Sequence, residues 1–186
     1  MTVVVPTEQP RDEHTPGAHR RPLVAIIGGR AQNVADERDL KLAEQVGAEL
    51  AARGYGVVSG GDDGVAEAVN KGCHQAGGVT IAVTKEQHRG CGPYVSYVVP
   101  TAMDLSRSAP LLWAGDAVIA FRGRFGTMFE LGLALDAERP VVLVGEPTFV
   151  TPEVTETPGV VLLPDLAALT ATQVVDAVEA LLNPLR

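Results

Sequence analysis

The chain has 186 residues, a length typical of one folded domain. Its formal net charge of −8 argues against a nucleic-acid partner, because a phosphate backbone needs clustered lysine and arginine side chains. No stretch approaches the ~20 consecutive apolar residues that cross a bilayer, so we expect a soluble, cytoplasmic protein with no membrane partner.

Residues 1–21 differ in composition from the rest of the chain. They contain three prolines, six charged residues and two of the four histidines, and they lack hydrophobic periodicity. This composition predicts a disordered N-terminal tail. It is not typical of a signal peptide, because the charges follow a very short apolar run at Val3–Val5. We therefore expect residues 22–186 to form a single domain.

The first part of this domain repeats one unit, which is a short apolar run, a glycine-rich turn and a helical pattern. Strands are predicted at 23–27, 55–59 and 79–83, followed by a shorter or edge strand at 94–99. A first helix is predicted from Asp39 to the stop at Gly54. The apolar faces of the two helices follow the i, i+3, i+4, i+7 spacing and comprise Ala43, Val46, Gly47 and Leu50, then Val65, Ala68, Val69, Gly72 and Cys73.

The second part continues the alternation of strands and helices. A helix is predicted to begin at Asp104 or Ser106, with Pro110 in its first turn. The remaining elements are predicted as a strand at 117–121, a turn at 122–126, a helix at 127–137, a strand at 141–144, a loop at 146–158 and a strand at 160–163. Thr170 and Gln173 form a capping-box pattern that opens the last helix.

This order predicts an α/β fold, namely a Rossmann-like, doubly wound and mostly parallel sheet with helices on both faces. The glycine-rich turns at 28–29, 60–64 and 123–126 all follow strands. In a parallel sheet they meet at the carboxyl edge, where such folds bind ligands. We therefore expect a small phosphorylated ligand at this edge, with Gly28 and Gly29 among the residues that bind it.

Several common functional motifs are absent from the sequence. There is no Gly-x-x-x-x-Gly-Lys-Ser/Thr phosphate loop, and Gly28-Gly29-Arg30-Ala31 does not match the dinucleotide pattern Gly-x-Gly-x-x-Gly. Neither a Gly-x-Ser-x-Gly nucleophile turn nor a His-Glu-x-x-His zinc motif occurs. Cys73 and Cys91 form no metal-ligand pattern and are expected to be free thiols. The sequence therefore implies no metal and no cofactor.

The segment 122–130 is the best candidate for a phosphate site. It follows a buried strand and opens a helix, so its backbone amides and the helix dipole favour an anion. Gly123, Arg124 and Gly126 lie in this turn, and the Thr127 hydroxyl adds a donor. Thr127-x-x-Glu130 is also a capping-box pattern that would satisfy the helix's own amides. From spacing alone, both interpretations remain open.

Two further features point to the same edge of the sheet. Arg107 near the start of the preceding helix could clamp a phosphate, although a solvated arginine is the simpler interpretation. The turn of Gly60, Gly61 and Gly64 could approach a phosphate, a ribose or a base. Within it, Asp62 and Asp63 could accept hydrogen bonds from a sugar or a base, or could cap the following helix.

These pieces together resemble the LOG-like branch of the SLOG superfamily, whose members are often described as lysine decarboxylase-like. The resemblance covers the chain from about Pro22 onward and is closest to a small bacterial subgroup. The family's motif Pro-Gly-Gly-x-Gly-Thr-x-x-Glu is matched at Gly123, Gly126, Thr127 and Glu130. Arg107 occupies the place of the family's upstream arginine, and Gly60-Gly61-x-x-Gly64 that of its earlier glycine turn.

The resemblance implies an activity and a partner. Well-studied members hydrolyse nucleoside 5′-monophosphates to a free base and ribose 5-phosphate. Arg107 and Glu130 would be the catalytic pair, and Gly126 and Thr127 would bind the 5′-phosphate. The resemblance also implies a homodimer or a higher homo-oligomer, with the apolar helix at 127–137 as one source of the interface. Lysine decarboxylation is disfavoured, because no lysine lies in a turn suited to a pyridoxal cofactor.

The sequence departs from the family motif at two positions. Arg122 and Arg124 replace its proline and its second glycine. Arg124 places a bulky side chain where the backbone should approach the phosphate. The two arginines could instead recognise a second anionic group, as in a diphosphate or a pterin. The alternative function is therefore a non-catalytic binding protein for a nucleotide or a pterin cofactor, similar to a molybdenum cofactor carrier.

Overall fold

The computed structural model describes residues 21–33, 37–87, 91–146 and 150–183. Its seven strands are β1 (Leu23–Ile27), β2 (Gly56–Ser59), β3 (Thr80–Thr84), β4 (Tyr97–Pro100), β5 (Ala117–Phe121), β6 (Val141–Val144) and β7 (Val160–Leu163). Its helices are α1 (Glu37–Ala52), α2 (Val65–Gln75), α3 (Ser108–Ala114), α4 (Phe125–Asp136), α5 (Pro152–Thr155) and α6 (Ala171–Leu182). Short 3-10 turns lie at Ala31–Asn33 and Asp104–Arg107.

The seven strands form one parallel sheet in the order β4-β3-β2-β1-β5-β6-β7. The chain builds outward from β1 to the β4 edge, then returns to the other side of β1 and builds outward again to β7. The direction therefore reverses between β1 and β5, which are hydrogen-bonded neighbours. This arrangement confirms the predicted Rossmann-like α/β fold.

The helices cover both faces of the sheet, as the apolar strands require. Val24 and Ile26 of β1 point to one face, where they join the buried side chains of α1, α2 and α6. Ala25 and Ile27 point to the other face, where they pack with α3 and α4. Because successive side chains of a strand alternate between faces, a strand buried on both sides must be apolar throughout.

Most predicted elements are confirmed, including the edge position of β4 and the buried side chain of Cys73. The Thr170–Gln173 capping box is present in full. The prediction of a loop at 146–158 is wrong at α5, where Pro152 lies at the start of a single helical turn. A proline is favoured there because its missing amide hydrogen would have no helical partner.

Three helix starts differ from those predicted. Helix α1 begins at Glu37 rather than at Asp39. The helix predicted from Asp104 or Ser106 is divided into a 3-10 turn and α3, which begins at Ser108 and has Pro110 in its first turn. Helix α4 begins at Phe125 rather than at Thr127. The predicted tail falls outside the described residues apart from Arg21. No helix in the described part of the chain is both long and apolar enough to cross a membrane.

Helices α1 and α2 cross in close backbone contact at two buried glycines. A Cβ atom added to Gly47 would overlap the carbonyl oxygen of Val69, and one added to Gly72 would overlap that of Glu44. No rotamer can relieve such an overlap, because both partners are backbone atoms. The two glycines thus set the spacing of the helix pair against β1 and β2.

We predict that Gly72→Ala lowers the free energy of unfolding by about 1–3 kcal/mol, since an overpacked contact forces the two helices apart. Urea denaturation would measure the change. Gly92→Ala is the matched control, because a Cβ atom there meets only the Glu67 side chain at ordinary contact distance. Equal stabilities of the two variants would contradict the proposed role of the crossing.

Candidate functional site

The turns that follow β1, β2 and β5 meet at the carboxyl edge of the sheet, at the point where the chain reverses direction. The backbone amide of Gly29 donates a hydrogen bond of 2.9 Å to the carbonyl oxygen of Arg122, which joins the first and third of these turns. Open parallel sheets bind ligands at such a position because no crossover helix covers it.

A cavity of about 200 Å³ lies between these turns and helices α3 and α4. Its wall contains backbone from the glycine turns, four basic side chains and three acidic ones. The lining residues are Gly28, Gly29, Arg30, Asp62, Lys85, Asp104, Leu105, Arg107, Ser108, Arg124, Gly126, Thr127, Phe129 and Glu130. Oppositely charged groups thus share one small volume.

A smaller recess of about 40 Å³ adjoins this cavity. The two share Gly28, Arg30, Asp62, Arg107 and Glu130 in their walls. The recess is closed at its base by the end of β1 and by the turn after β2, which contributes Gly60. A ligand in the main cavity therefore has a pocket of limited size beside Arg107 and Glu130.

The amino end of helix α4 forms one wall of the cavity. Its N-cap residue is Arg124, which has an extended backbone and makes no side-chain cap hydrogen bond. A Cβ atom added at Gly126 would meet no atom within 4 Å, so the backbone is open on that side. First-turn amides of a helix without a side-chain cap are suited to binding an anion.

The structure does not form the alternative Thr127–Glu130 capping box. Because α4 begins at Phe125, Thr127 lies inside the helix, where its side chain is buried. Glu130 accepts a hydrogen bond of 3.0 Å from the Ser108 hydroxyl instead. The backbone of Arg124 has φ of −118°, so this residue does not need the positive φ that only glycine adopts readily.

Arg107 and Glu130 lie together in the cavity wall. Arg107 ends the 3-10 turn before α3, and one of its terminal nitrogens is 3.5 Å from the carboxylate of Glu130. Another is 3.3 Å from the carboxylate of Asp62. The side chains of Arg107 and Glu130 are only 11% and 13% exposed, which contradicts the interpretation of Arg107 as a solvated arginine.

The guanidinium of Arg107 rests directly on Gly60. A Cβ atom added at Gly60 would lie 2.6 Å from both terminal nitrogens of Arg107. Any side chain at position 60 would therefore displace the guanidinium. This contact gives the glycine of the β2 turn a specific function in placing Arg107 over the cavity.

Burial of the carboxyl group raises the pKa of Glu130 above its ordinary value. The positive charge of Arg107 and the hydrogen bond from Ser108 act in the opposite direction, and the negative charge of Asp62 raises the pKa further. A carboxyl group with a raised pKa is better suited to exchange protons near neutral pH than an exposed one.

Asp62 and Asp63 do not cap helix α2, whose N-cap is Gly64 with no side-chain cap hydrogen bond. Asp63 accepts hydrogen bonds from the side chain of Arg30 and from the backbone amide of Ala31. Asp62 lies between Arg30 and Arg107, at 3.4 Å and 3.3 Å. The two aspartates thus hold the β1 turn against the β2 turn.

Three of the predicted ligand-binding glycines line neither the cavity nor the recess. Gly61 has φ of +70° and packs against Ala82, and Gly64 has φ of +79° and packs against the backbone of the β1 turn. Gly123 contacts the side chain of Thr127 so closely that there is no room for a Cβ atom. These glycines shape the turns from which the lining residues project.

Arg122 does not line the cavity, contrary to the expectation that it could contact a second anionic group. Its guanidinium binds both carboxylate oxygens of Asp39, at 2.6 and 3.2 Å. Asp39 was predicted only as the start of a helix, and its side chain is 2% exposed. No pattern in the sequence pairs these residues, since they are 83 positions apart.

Four polar residues of the wall were not predicted from the sequence, namely Arg30, Lys85, Asp104 and Ser108. Arg30 directly follows the predicted Gly28-Gly29 turn, so its position could have been anticipated. The other three lie beside the cavity only because β3 ends, and α3 begins, at the same edge of the sheet. Within the described ranges, no group of three or more His, Cys, Asp or Glu side chains could hold a metal ion.

Known proteins with similar sequences or structures agree with this architecture. A protein of Archaeoglobus fulgidus without an assigned function is 31% identical over 137 residues, which cover 70% of this chain and 89% of that protein. The X-ray structure of TM1055 is similar with a TM-score of 0.73 and 27% identity, covering 85% of this chain and 98% of that one. The Moco carrier protein of Chlamydomonas reinhardtii is similar with a TM-score of 0.73 and 28% identity, covering 89% of this chain and 100% of that one.

The family model of the SLOG cluster4 family matches residues 21–167, which include every element from β1 to β7 and all the cavity-lining residues. This match agrees with the resemblance to the SLOG superfamily that the motif residues indicate. The chain belongs to the SLOG cluster4 family.

Proposed function

We propose that the protein binds a phosphorylated nucleoside-type ligand in the strand-edge cavity and hydrolyses its N-glycosidic bond. The observation that carries the proposal is the largely buried pair of Arg107 and Glu130 beside the amino end of α4. The helix end supplies hydrogen-bond donors for a phosphate. The pair supplies a cation and a carboxyl group in the wall of the same cavity.

In this proposal, the amides of Gly126 and Thr127 and the side chain of Arg124 bind the 5′-phosphate. Arg107 orients the substrate and stabilises the negative charge that develops on the departing base. Glu130 in its ionised form accepts a proton from water as the water oxygen bonds to the sugar carbon C1′. The bond between C1′ and the base nitrogen breaks with its electrons going to the base, and the base takes up the proton that Glu130 accepted, which restores the ionised carboxylate. The products are a free base and ribose 5-phosphate.

A second candidate is a carrier for a phosphorylated pterin cofactor. It is supported by the similarity to the Moco carrier protein of C. reinhardtii along nearly the full length of both chains. It is also supported by Arg124, which lines the cavity at a position where the family motif has glycine. A carrier needs the phosphate-binding helix end but no proton transfer at Glu130, so the two candidates differ in their dependence on that residue.

The first experiment is incubation of the purified protein with a panel of nucleoside 5′-monophosphates, with chromatographic detection of the free base. Release of a base would support the glycosidase and identify its preferred substrate. The absence of release from every monophosphate would contradict it. A phosphorylated pterin found in the protein as purified, or bound on addition, would then support the carrier.

We predict that Glu130→Gln abolishes base release while nucleotide binding persists. The amide keeps the size of the side chain but cannot accept a proton from water, and a lost general base costs about 10²–10⁴-fold in rate. Asp136→Asn at the other end of α4 is the control and should retain full activity, since Asp136 lies outside the cavity wall. Normal turnover by Glu130→Gln would remove Glu130 from the reaction.

The pH dependence tests the same group in the wild-type protein. If the ionised carboxylate is the active form, kcat/KM falls as pH decreases through the pKa of Glu130. Because burial raises this pKa, the loss should occur above the ordinary glutamate value of about 4.3. Asp62→Asn removes a negative charge that raises the pKa, so it should move the loss to lower pH. A profile with no acidic limb near or above that value would contradict the assignment.

We predict that Gly60→Ala weakens nucleotide binding about as much as Arg107→Ala does, because the added methyl group displaces the guanidinium. Loss of a charge-assisted hydrogen bond is worth about 1.5–3 kcal/mol, which corresponds to roughly 10–150-fold in Kd. Isothermal titration with adenosine 5′-monophosphate measures the change. The double variant is the control, since it should bind no more weakly than Arg107→Ala alone. Additive losses would show that Gly60 acts independently of Arg107.

We also propose that the protein is a homodimer that associates through the exposed apolar side chains of the α3–α4 side. These side chains are Met103, Leu105, Trp113, Phe125, Met128 and Phe129, which we call the apolar face. Helix α4 is rich in apolar residues, yet it buries only Thr127, Leu131 and Ala134 within its own chain. An apolar surface of this kind on a single chain is typical of an interface.

Met128→Glu should convert the dimer to a monomer, because it places a charge in the middle of the apolar face. Light scattering coupled to size exclusion measures the mass. Tyr97→Glu is the control, since Tyr97 is more exposed than Met128 but lies on the edge strand β4, outside the apolar face. A wild-type protein that is monomeric at micromolar concentration would contradict the proposed interface.

A further inference from the structure

Asp39 is an acidic side chain held in the interior of the protein. It lies in the first turn of α1, where it is 2% exposed. An ionised carboxylate at such a position is strongly destabilising unless a cation binds it. Arg122 supplies that cation through a two-point contact with both carboxylate oxygens. The pair therefore fixes the direction of the Arg122 side chain away from the ligand cavity.

Arg122 is attached to two further elements. Its carbonyl oxygen accepts the hydrogen bond from Gly29 in the β1 turn. The aliphatic part of its side chain packs against Gly145, directly after β6, where a Cβ atom would lie 3.0 Å from the Cδ atom of Arg122. One residue thus contacts the α1 start, the β1 turn and the end of β6.

The chain passes directly from Arg122 into the proposed phosphate site. Gly123 follows and packs against the Thr127 side chain, and Arg124 then occupies the N-cap position of α4. Because Gly123 packs tightly against the Thr127 side chain, a shift of Arg122 would be transmitted to the first turn of α4. The placement of the helix amides therefore depends on the position of Arg122.

We infer that Asp39 and Arg122 are positioning residues, which act through each other to hold the turn 122–127 in the conformation that binds a phosphate. The inference rests on the proposed function in so far as this turn binds the phosphate of the ligand. Neither side chain lines the cavity or the recess. The ion pair restrains the backbone at position 122, where the family motif has a proline whose ring fixes φ.

If Arg122 instead bound the anion directly, the expected effect of Asp39→Asn would be different. Asp39→Asn would then release the guanidinium and leave phosphate affinity unchanged or increased. If the pair positions the turn 122–127, Asp39→Asn loosens this turn and weakens phosphate binding. Arg122→Lys keeps the positive charge but loses the two-point contact, so it should also weaken binding if geometry is what matters.

The experiment compares Asp39→Asn, Arg122→Lys and the double variant Asp39→Asn/Arg122→Met with the wild-type protein. Arg53→Met is the matched control, because Arg53 also pairs with carboxylates but lies at the opposite edge of the sheet. If a single variant does not fold, the double variant carries the test, since it leaves no charge buried without a partner. The readouts are amide hydrogen exchange of residues 122–128 and the Kd of adenosine 5′-monophosphate.

Positioning predicts exchange in 122–128 that is faster by about tenfold or more in each variant, with the wild-type rate in the control. It also predicts an adenosine 5′-monophosphate Kd that rises by about tenfold or more, because small misplacements of binding groups are costly. Wild-type exchange in this segment would overturn the inference, as would unchanged or tighter binding by Asp39→Asn. If the wild-type protein binds no nucleotide, the proposed function fails, whereas hydrogen exchange still decides the role of the pair.

Discussion

The reversal of chain direction between β1 and β5 is the constraint on which the rest of the site depends. These central strands pair over four residues, and the turns that follow them are joined by the hydrogen bond from Gly29 to Arg122. Crossover helices leave the sheet in opposite directions from these two turns. A crevice therefore opens between them, and the amino end of α4 and the side chains of the β2 turn face the same space.

Within this crevice, charged groups are arranged in a continuous series of pairs. Arg30 contacts Asp62, Asp62 contacts Arg107, and Arg107 contacts Glu130. Such a series fixes the orientation of Arg107 before any ligand enters. It also keeps Glu130 in a largely buried environment, whose effect on the carboxyl pKa outweighs that of the neighbouring cation. Preorganisation of this kind lowers the cost of ordering side chains on binding.

The turn after β5 shows how a departure from the family motif can be accommodated. Arg124 occupies a position where the motif has glycine, but its backbone is extended and therefore unstrained. Arg122 occupies the position where the motif has proline. Its side chain is held by Asp39 of helix α1. Where the motif has a rigid proline, this chain has a long, flexible arginine whose side chain is held by the buried Asp39. The backbone of the turn can keep its conformation although its sequence differs.

The sequence by itself determined the order of the elements and the edge of the sheet at which the glycine-rich turns meet. Apolar runs such as 23–27 and 117–121 indicate strands buried on both faces, and the glycine turns after them mark one edge of a parallel sheet. Arg107, Gly126, Thr127 and Glu130 were predicted as site residues from the resemblance to the family motif. The order of strands and turns is a local property, and their common edge follows from the handedness of the connections, so both can be predicted from the sequence.

Only the tertiary structure decided what the charged side chains contact. Sequence allowed Thr127 and Glu130 to form a cap and allowed Asp62 and Asp63 to cap α2, and the structure gives all four other surroundings. It also pairs Asp39 with Arg122 across 83 positions and brings Arg107 onto Gly60 across the sheet edge. The physical reason is that ion pairs and close packing depend on distances between elements. Those distances are set by helix packing on the sheet, which hydrophobic periodicity does not encode.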